Sequence, residues 1–390
     1  MTLKSGFCRR DMLAVILGAM AIVFCPLSVR YASAQALPTP SVTGPLSTAS
    51  PTVFNAGPLG KLDVTGILSG LAIWQDDPAL GDEPTHLDIS NGQIFLQKTT
   101  GVFQFYLQGG AYNIPALGAP YLSTSRTLPD LYGPLPVGFV KIQATKNFSI
   151  MVGQLPTLIG AEYTFTFENM NIERGLLWNQ ENAINRGVQL NDTIGHFTAS
   201  LSWNDGFYSN RYTWLSGALS YTKGPNTLAF VAGGNAGHTA FRTFATPVQN
   251  NGSIYNVIYT YTKGPWIVQP YFQYTDVPTD PAIGVTQGTD TRGGALLLDY
   301  NFKHGISLAG RAEYISSTGS GTSGAVNLMF GPGSGGWSVT LTPTYQNKGF
   351  FARADLSWDQ AVSYTPGDAF GPQGMNRAQA RAMVETGFMF

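Results

Sequence analysis

Apolar and polar residues alternate along most of the chain after residue 60, which is typical of β-strands with one apolar face. In 196–204, for example, Phe197, Leu201 and Trp203 share one face and small polar residues occupy the other. A further apolar piece, 326–330, is assigned to an external loop because single-chain bacterial barrels have even strand numbers. The pattern predicts sixteen strands, with eighteen as the alternative, near 63–75, 92–98, 101–112, 138–146, 148–155, 186–193, 196–204, 213–222, 226–235, 253–262, 266–275, 292–301, 306–315, 336–346, 349–359 and 379–390.

The lengths and ends of these strands separate a membrane barrel from a soluble sandwich. Strands of nine to eleven residues match a tilted membrane span, whereas ordinary strands average about five or six. Many apolar stripes begin or end with an aromatic residue, such as Trp203, Trp266 and Trp358, as in the girdles at membrane interfaces. Short and long connections also alternate along the chain. The sequence therefore predicts a transmembrane antiparallel up-and-down β-barrel with short periplasmic turns and long extracellular loops.

The last strand ends the chain at Phe390, with Val384, Thr386 and Phe388 on the same face. A terminal Phe on an alternating strand resembles the closing strand that the bacterial outer-membrane assembly machinery reads. Barrels of sixteen to eighteen strands leave an aqueous channel, while eight strands fill their interior with side chains. The strand count thus indicates a pore.

The first residues read as an export signal of a Gram-negative-type bacterium. Lys4, Arg9 and Arg10 form a basic start, 12–24 is apolar, and a small-residue cleavage site ends at Ala34. We expect 1–34 to be a cleaved signal peptide, 35–60 to be a Pro/Ser/Thr-rich periplasmic linker that is extended rather than a strand, and 61–390 to be the outer-membrane barrel.

Composition narrows the function classes. Only 12% of residues are charged while 12% are aromatic, and the net charge of −1 gives no electrostatic case for nucleic acid. Both cysteines, Cys8 and Cys25, lie in the predicted signal, so no cysteine-based metal site is expected in the exported chain. The expected partners are outer-membrane lipid and small hydrophilic solutes, with no cofactor.

On three predicted strands, 306–315, 349–359 and 379–390, the charges fall on the face opposite the apolar stripe. Charged side chains on the lipid face would cost roughly 2–4 kcal/mol near the midplane, so they must point inward. They would form either a charged pore wall or a set of cross-strand ion pairs, and both readings stay open. The predicted pore-lining residues are Arg311, Glu313, Arg353, Asp355, Arg381 and Glu385.

The long connection 156–185 is the best candidate for a loop that folds into the pore, against the alternative of a solvated external loop. Aromatic and amide groups such as Trp178, Asn179 and Gln180 would suit sugars, whereas its arginines would suit anions. The sequence does not choose between these solutes. The candidate constriction residues are Glu162, Glu168, Glu173, Arg174, Trp178, Asn179 and Arg186.

Three short stretches carry a family resemblance. They are Gly153-Gln154-Leu155-Pro156 with Gly160-Ala161-Glu162, Asn171-Ile172-Glu173-Arg174-Gly175, and Arg186-Gly187-Val188-Gln189; Leu341-Thr342-Pro343-Thr344-Tyr345 and Arg353-Ala354-Asp355 add to them. Together they resemble the outer-membrane β-barrel porins of the OmpL-like, porin-2 kind. The resemblance implies a channel for passive diffusion, and by analogy with other sixteen-stranded porins a homotrimer.

Two other functions would require different sequence features. A plugged structural or adhesive barrel would need packed apolar residues on its inward face, which reads mainly as Gln, Ser, Thr, Asn, Tyr and Arg. A hydrolase would need a nucleophile beside a base. His196 and His304 fall in predicted periplasmic turns, and His86 and His238 in different long loops, so no enzyme is expected.

Overall fold

A computed structural model describes residues 46–47, 50–237 and 247–390. The predicted signal peptide, most of 35–49 and His238 lie outside the described residues. Among the described residues, no helix has the length and apolar character to cross a membrane. The strands are β1 (Thr52–Asn55), β2 (Lys61–Gln75), β3 (Thr85–Lys98), β4 (Phe103–Tyr112), β5 (Val137–Gln143), β6 (Ser149–Pro156), β7 (Ile184–Ile194), β8 (Phe197–Asn204), β9 (Trp214–Lys223), β10 (Asn226–Asn235), β11 (Ser253–Lys263), β12 (Trp266–Val277), β13 (Thr289–Asn301), β14 (Ile306–Ser317), β15 (Gly335–Asn347), β16 (Phe350–Ser363) and β17 (Ala378–Met389).

The helices are short and lie in the connections. The α-helix α1 (Thr124–Asp130) lies between β4 and β5, and a single turn (Pro247–Asn250) precedes β11. The 3-10 turns are Gly57–Leu59, Thr166–Glu168, Leu177–Gln180, Pro281–Ile283 and Gly321–Ser323.

Strands β2 to β17 close into a sixteen-stranded antiparallel barrel, which confirms the predicted fold. Each strand pairs with its neighbours in the chain, and β17 returns to pair with β2. The closing seam continues to the last residue, because Gly66 and Phe390 exchange two backbone hydrogen bonds of 2.6 and 3.0 Å. Because the barrel is closed, each strand from β2 to β17 is paired along both of its edges, and backbone groups surrounded by lipid need such hydrogen-bond partners.

Strand alternation gives the barrel an apolar outside. On β16, Leu356 and Trp358 are 56% and 41% exposed, while Ser357 between them and Asp355 and Asp359 on either side are buried. The other strands repeat this order, so the exposed apolar side chains form the band that faces lipid. The predicted inward phase of the strand charges follows from the same alternation.

Three local features differ from the expectations. β3 begins at Thr85, so His86 is on a strand rather than in a long loop. A connection at 205–213 adds an eighth long loop on the extracellular side. Thr52–Asn55 is a strand, β1, although the proline content of 35–60 argued for an extended tether; it pairs with the first residues of β2 along the edge where β17 has ended.

Candidate functional site

The connection between β6 and β7, residues 157–183, folds into the barrel, and we call it the inner loop. Its Gly160 amide donates to Asn256 on β11 at 3.2 Å, and its Leu177 carbonyl accepts from Gln273 on β12 at 2.8 Å. On the far side of its path, the Thr166 hydroxyl donates to Glu385 on β17 at 2.7 Å. The inner loop is therefore bonded to the barrel wall along a wide arc.

Two inward carboxylates hold the backbone of the inner loop. Asp355 accepts from the amides of Ile172 and Glu173 at 2.8 and 3.0 Å. Glu313 accepts from the amides of Leu176 and Leu177 at 2.8 and 3.2 Å. Hydrogen bonds from neutral donors to a carboxylate in a dry site are among the stronger ones in proteins, so these four contacts fix the loop's path.

Three inward arginines complete the attachment. Arg311 pairs with Glu162 at 2.7 Å, and Arg381 pairs with Glu173 at 2.9 Å. The Arg353 guanidinium lies 3.7 Å from the Glu385 carboxylate. It also donates hydrogen bonds of 2.9 to 3.0 Å to three backbone carbonyls of the inner loop. Those carbonyls belong to Thr166, Asn169 and Met170.

All six predicted pore-lining residues thus point into the barrel and meet the inner loop. Their relative exposure is 5% or less, and each forms an ion pair or accepts loop hydrogen bonds. Cross-strand and strand-to-loop pairing accounts for their position in this structure. Their contribution to a water-filled wall stays a prediction.

The inner loop itself buries charge. Arg174 is fully buried, and no hydrogen-bond partner for its guanidinium is found among the described residues; its group lies 5.6 Å from the ring centre of Trp178. Burial lowers the pKa of Arg174 to about 10 and raises the pKa of Glu168 to about 8. Burial also raises the pKa of Glu181 well above its ordinary range, with the nearby Glu162 adding to the rise. Burial therefore favours the uncharged form of Glu168 at neutral pH and shifts Glu181 in the same direction.

Space remains on the side of the barrel formed by β4 to β8. A cavity of about 650 Å³ lies between the inner loop and this wall. Amide, hydroxyl and aromatic side chains line it from the wall, and Lys141 of β5 is the cationic group there. The wall side chains are Tyr106, Gln108, Val137, Phe139, Lys141, Gln143, Asn147, Ser149, Met151, Asn191, Thr193 and Thr198.

A smaller cavity lies on the extracellular side of the inner loop. Its volume is about 190 Å³, and Trp178, Asn179 and Glu181 of the loop line it together with Tyr132 and Tyr208. The two tyrosine rings meet edge to face at 5.1 Å. Two of the candidate constriction residues, Trp178 and Asn179, are therefore brought to the mouth of the barrel.

Arg186 lies elsewhere. It alternates with the inward Asn185 and Gln189 of β7, which directs its side chain to the outside of the barrel at the extracellular rim. There it pairs with Asp205 at 2.8 Å and stacks on Tyr208 at 3.9 Å. The structure does not bring it together with the other six candidate residues of the loop.

The interior also holds apolar clusters that the sequence analysis did not anticipate. Phe165 and Phe167 of the inner loop pack with Phe95 and Tyr112 of the wall, all nearly fully buried. The inward face reads as polar only on average, because apolar residues on it are concentrated where the loop docks. Lys141 was also missed, although strict alternation from Val137 places it inward.

Comparison with known proteins agrees with this architecture. A family model described as "Putative beta-barrel porin-2, OmpL-like" matches residues 61–390. No curated relative matches the sequence. Among solved structures, OmpT of Vibrio cholerae has a TM-score of 0.57 at 10% identity, covering 87% of this chain and 100% of its own.

Two other outer-membrane proteins give similar values. The outer membrane channel DcaP of Acinetobacter baumannii has a TM-score of 0.57 at 9% identity, covering 87% of this chain and 100% of its own. Salmonella typhi OmpF, solved with daunomycin, has a TM-score of 0.55 at 13% identity, covering 85% and 98%. At such low identity these likenesses show the fold alone.

Proposed function

Because this chain belongs to the porin-2, OmpL-like family of β-barrels, we propose that it is an outer-membrane channel for passive diffusion of small hydrophilic solutes, with the inner loop as its constriction. The observation that carries the proposal is the open cavity between the inner loop and β4 to β8, which amide and hydroxyl side chains line among apolar ones. A loop that is bonded to the wall from β11 to β17 and leaves a cavity beside β4 to β8 narrows the lumen of a sixteen-stranded barrel without filling it. No cofactor or catalytic residue takes part.

The selectivity follows from the charges that border this cavity. Glu162 is paired with Arg311, and Glu168 is largely protonated at neutral pH. Lys141 lies on the opposite wall, and no ion pair of its side chain is found among the described residues. Charges lining a narrow aqueous passage sort ions by sign. The channel is therefore weakly anion-selective and passes neutral polar solutes.

The test is single-channel recording of refolded, purified protein in a planar bilayer under a salt gradient. We expect stepwise conductance and a reversal potential of anion preference. Lys141→Glu should invert the sign of that potential. Lys146→Glu in the periplasmic turn after β5 is the matched control, because it makes the same charge change outside the cavity. Equal shifts from both variants would assign the selectivity to surface charge instead.

A plugged structural barrel is the second candidate, and the apolar packing of Phe165 and Phe167 against the wall favours it. It predicts protein that is folded and inserted yet silent in the bilayer. Heat-modifiable migration on a gel identifies folded barrels independently of conductance. If protein that passes this check shows no conductance, the plugged barrel would be the correct function and the diffusion channel would be wrong.

A further inference from the structure

Leu46 and Ser47, upstream of β1, lie at the periplasmic end of the barrel. Leu46 is only 3% exposed and belongs to the same apolar cluster as Ile67, Phe351 and Met389. All three point inward: Phe351 and Met389 lie at the periplasmic ends of β16 and β17, and Ile67 of β2 is paired directly with Met389. Leu46 therefore lies inside the mouth rather than on its rim.

A pair of hydrogen bonds holds this segment in place. The Ser47 amide donates to Gln346 Oε1 at 2.7 Å, and Gln346 Nε2 donates back to the Ser47 carbonyl at 2.8 Å. Gln346 lies on β15 directly opposite Phe351 on β16. The amide side chain thus binds both polar groups of one backbone residue, as a neighbouring strand would.

Burial of Leu46 contrasts with the apolar residues that follow it. Val53 and Phe54 of β1 are 52% and 54% exposed, and Leu59 in the next turn is 54% exposed. All of these lie within the same short N-terminal stretch. The segment therefore does not bury apolar side chains in general; it inserts one of them into the barrel.

The inserted residue shares an apolar cluster with residues that line the proposed passage. Tyr106 and Phe139 belong to the cluster that contains Leu46, and both also line the cavity beside the inner loop. We propose that Leu46 and Ser47 act as a stopper that narrows the periplasmic exit of this channel. The stopper rests on the proposed diffusion function, because it has an effect only on a conducting lumen.

Conductance measurements on three variants test the stopper. Leu46→Asp places a charge in an apolar cluster and expels the segment, and Gln346→Ala removes both of its hydrogen bonds without changing the core. We expect both variants to conduct more than the wild type, Leu46→Asp by the larger factor. Leu59→Asp is the matched control and should equal the wild type, because Leu59 is already exposed.

The outcomes separate the stopper from the channel. A conducting wild type whose conductance neither Leu46→Asp nor Gln346→Ala increases would refute the stopper and leave the channel standing. A silent wild type with a conducting Leu46→Asp would establish the stopper as a closed plug. Silence in all folded proteins would overturn both proposals together. Gln346→Ala keeps the test decisive even where Leu46→Asp fails to fold.

Discussion

Removing the Asp355 carboxylate should release the inner loop from the barrel wall. In Asp355→Ala the amides of Ile172 and Glu173 lose their acceptor inside a buried site. A buried donor left without a partner costs roughly 1–3 kcal/mol, so the two together destabilise the seated loop by roughly 2–6 kcal/mol. At about 1.4 kcal/mol per factor of ten, the population of released loop rises roughly 30-fold to 10⁴-fold.

The inner loop carries a built-in reporter of this release. Arg174 is the one basic residue between positions 157 and 183, and it is fully buried. Trypsin can therefore cut within the loop only when the loop leaves its site, and the cleavage rate follows the released population. Cleavage at Arg174 in folded protein, resolved by mass spectrometry, measures the effect directly.

A matched control and a refuting result complete the design. Asp299 on β13 is also a buried, inward aspartate, but among the described residues its carboxylate accepts no hydrogen bond from the inner loop. Asp299→Ala should leave the cleavage rate near that of the wild type. A rate for Asp355→Ala that matches the wild type, with Arg174 cut readily in denatured protein, would show that these hydrogen bonds do not seat the loop.

Two further predictions concern the inner loop. Burial raises the pKa of Glu168 to about 8 from an ordinary 4.5, so the folded protein holds a proton that the unfolded chain releases. Stability should therefore fall as the pH rises from about 4.5 to about 8, and thermal melting of Glu168→Gln should show a shallower slope than the wild type, because Glu181 still contributes. Gly160 has a φ of +85°, and an added Cβ would meet the Glu181 carboxylate. Because the left-handed backbone alone costs a residue with a Cβ about 1–2 kcal/mol, Gly160→Ala should speed trypsin cleavage at Arg174 roughly five- to thirtyfold. An unchanged cleavage rate would contradict this account.

The sequence was sufficient to predict the barrel because its information is local. Period-two alternation and lipid exposure fix the phase of each strand, and the sixteen strands agree with the structure to within a few residues at most ends. The largest departure is β3, which begins seven residues before the predicted 92. In its first part Leu87 and Ile89 still alternate with His86 and Asp88, which bond to the extracellular loops, but the phase changes at Ser90, where the pairing with β2 shifts register.

The docking of the inner loop could be predicted only in part. Its unusual content of charge marked 156–185 as a candidate, but the partners of those charges lie on strands more than a hundred residues away in the chain. Arg311 bonds to Glu162, and Arg381 to Glu173, through contacts that no local pattern encodes. Arg186 shows how far strand phase decides such predictions, because a shift of one residue along a strand moves a side chain from the lumen to the outer face.

The seven-residue β5 and the eight-residue β6 form a short section of the barrel wall, whereas β2 has fifteen residues. At about 3.3 Å per residue, β5 extends roughly 23 Å, and a tilt of about 40° leaves roughly 18 Å across the membrane. An apolar band of about 25 Å is usual for such barrels. Lipid beside β5 and β6 must thin to match this shorter wall, and each ångström of mismatch costs free energy. Covering these two strands with another protein surface would remove that cost.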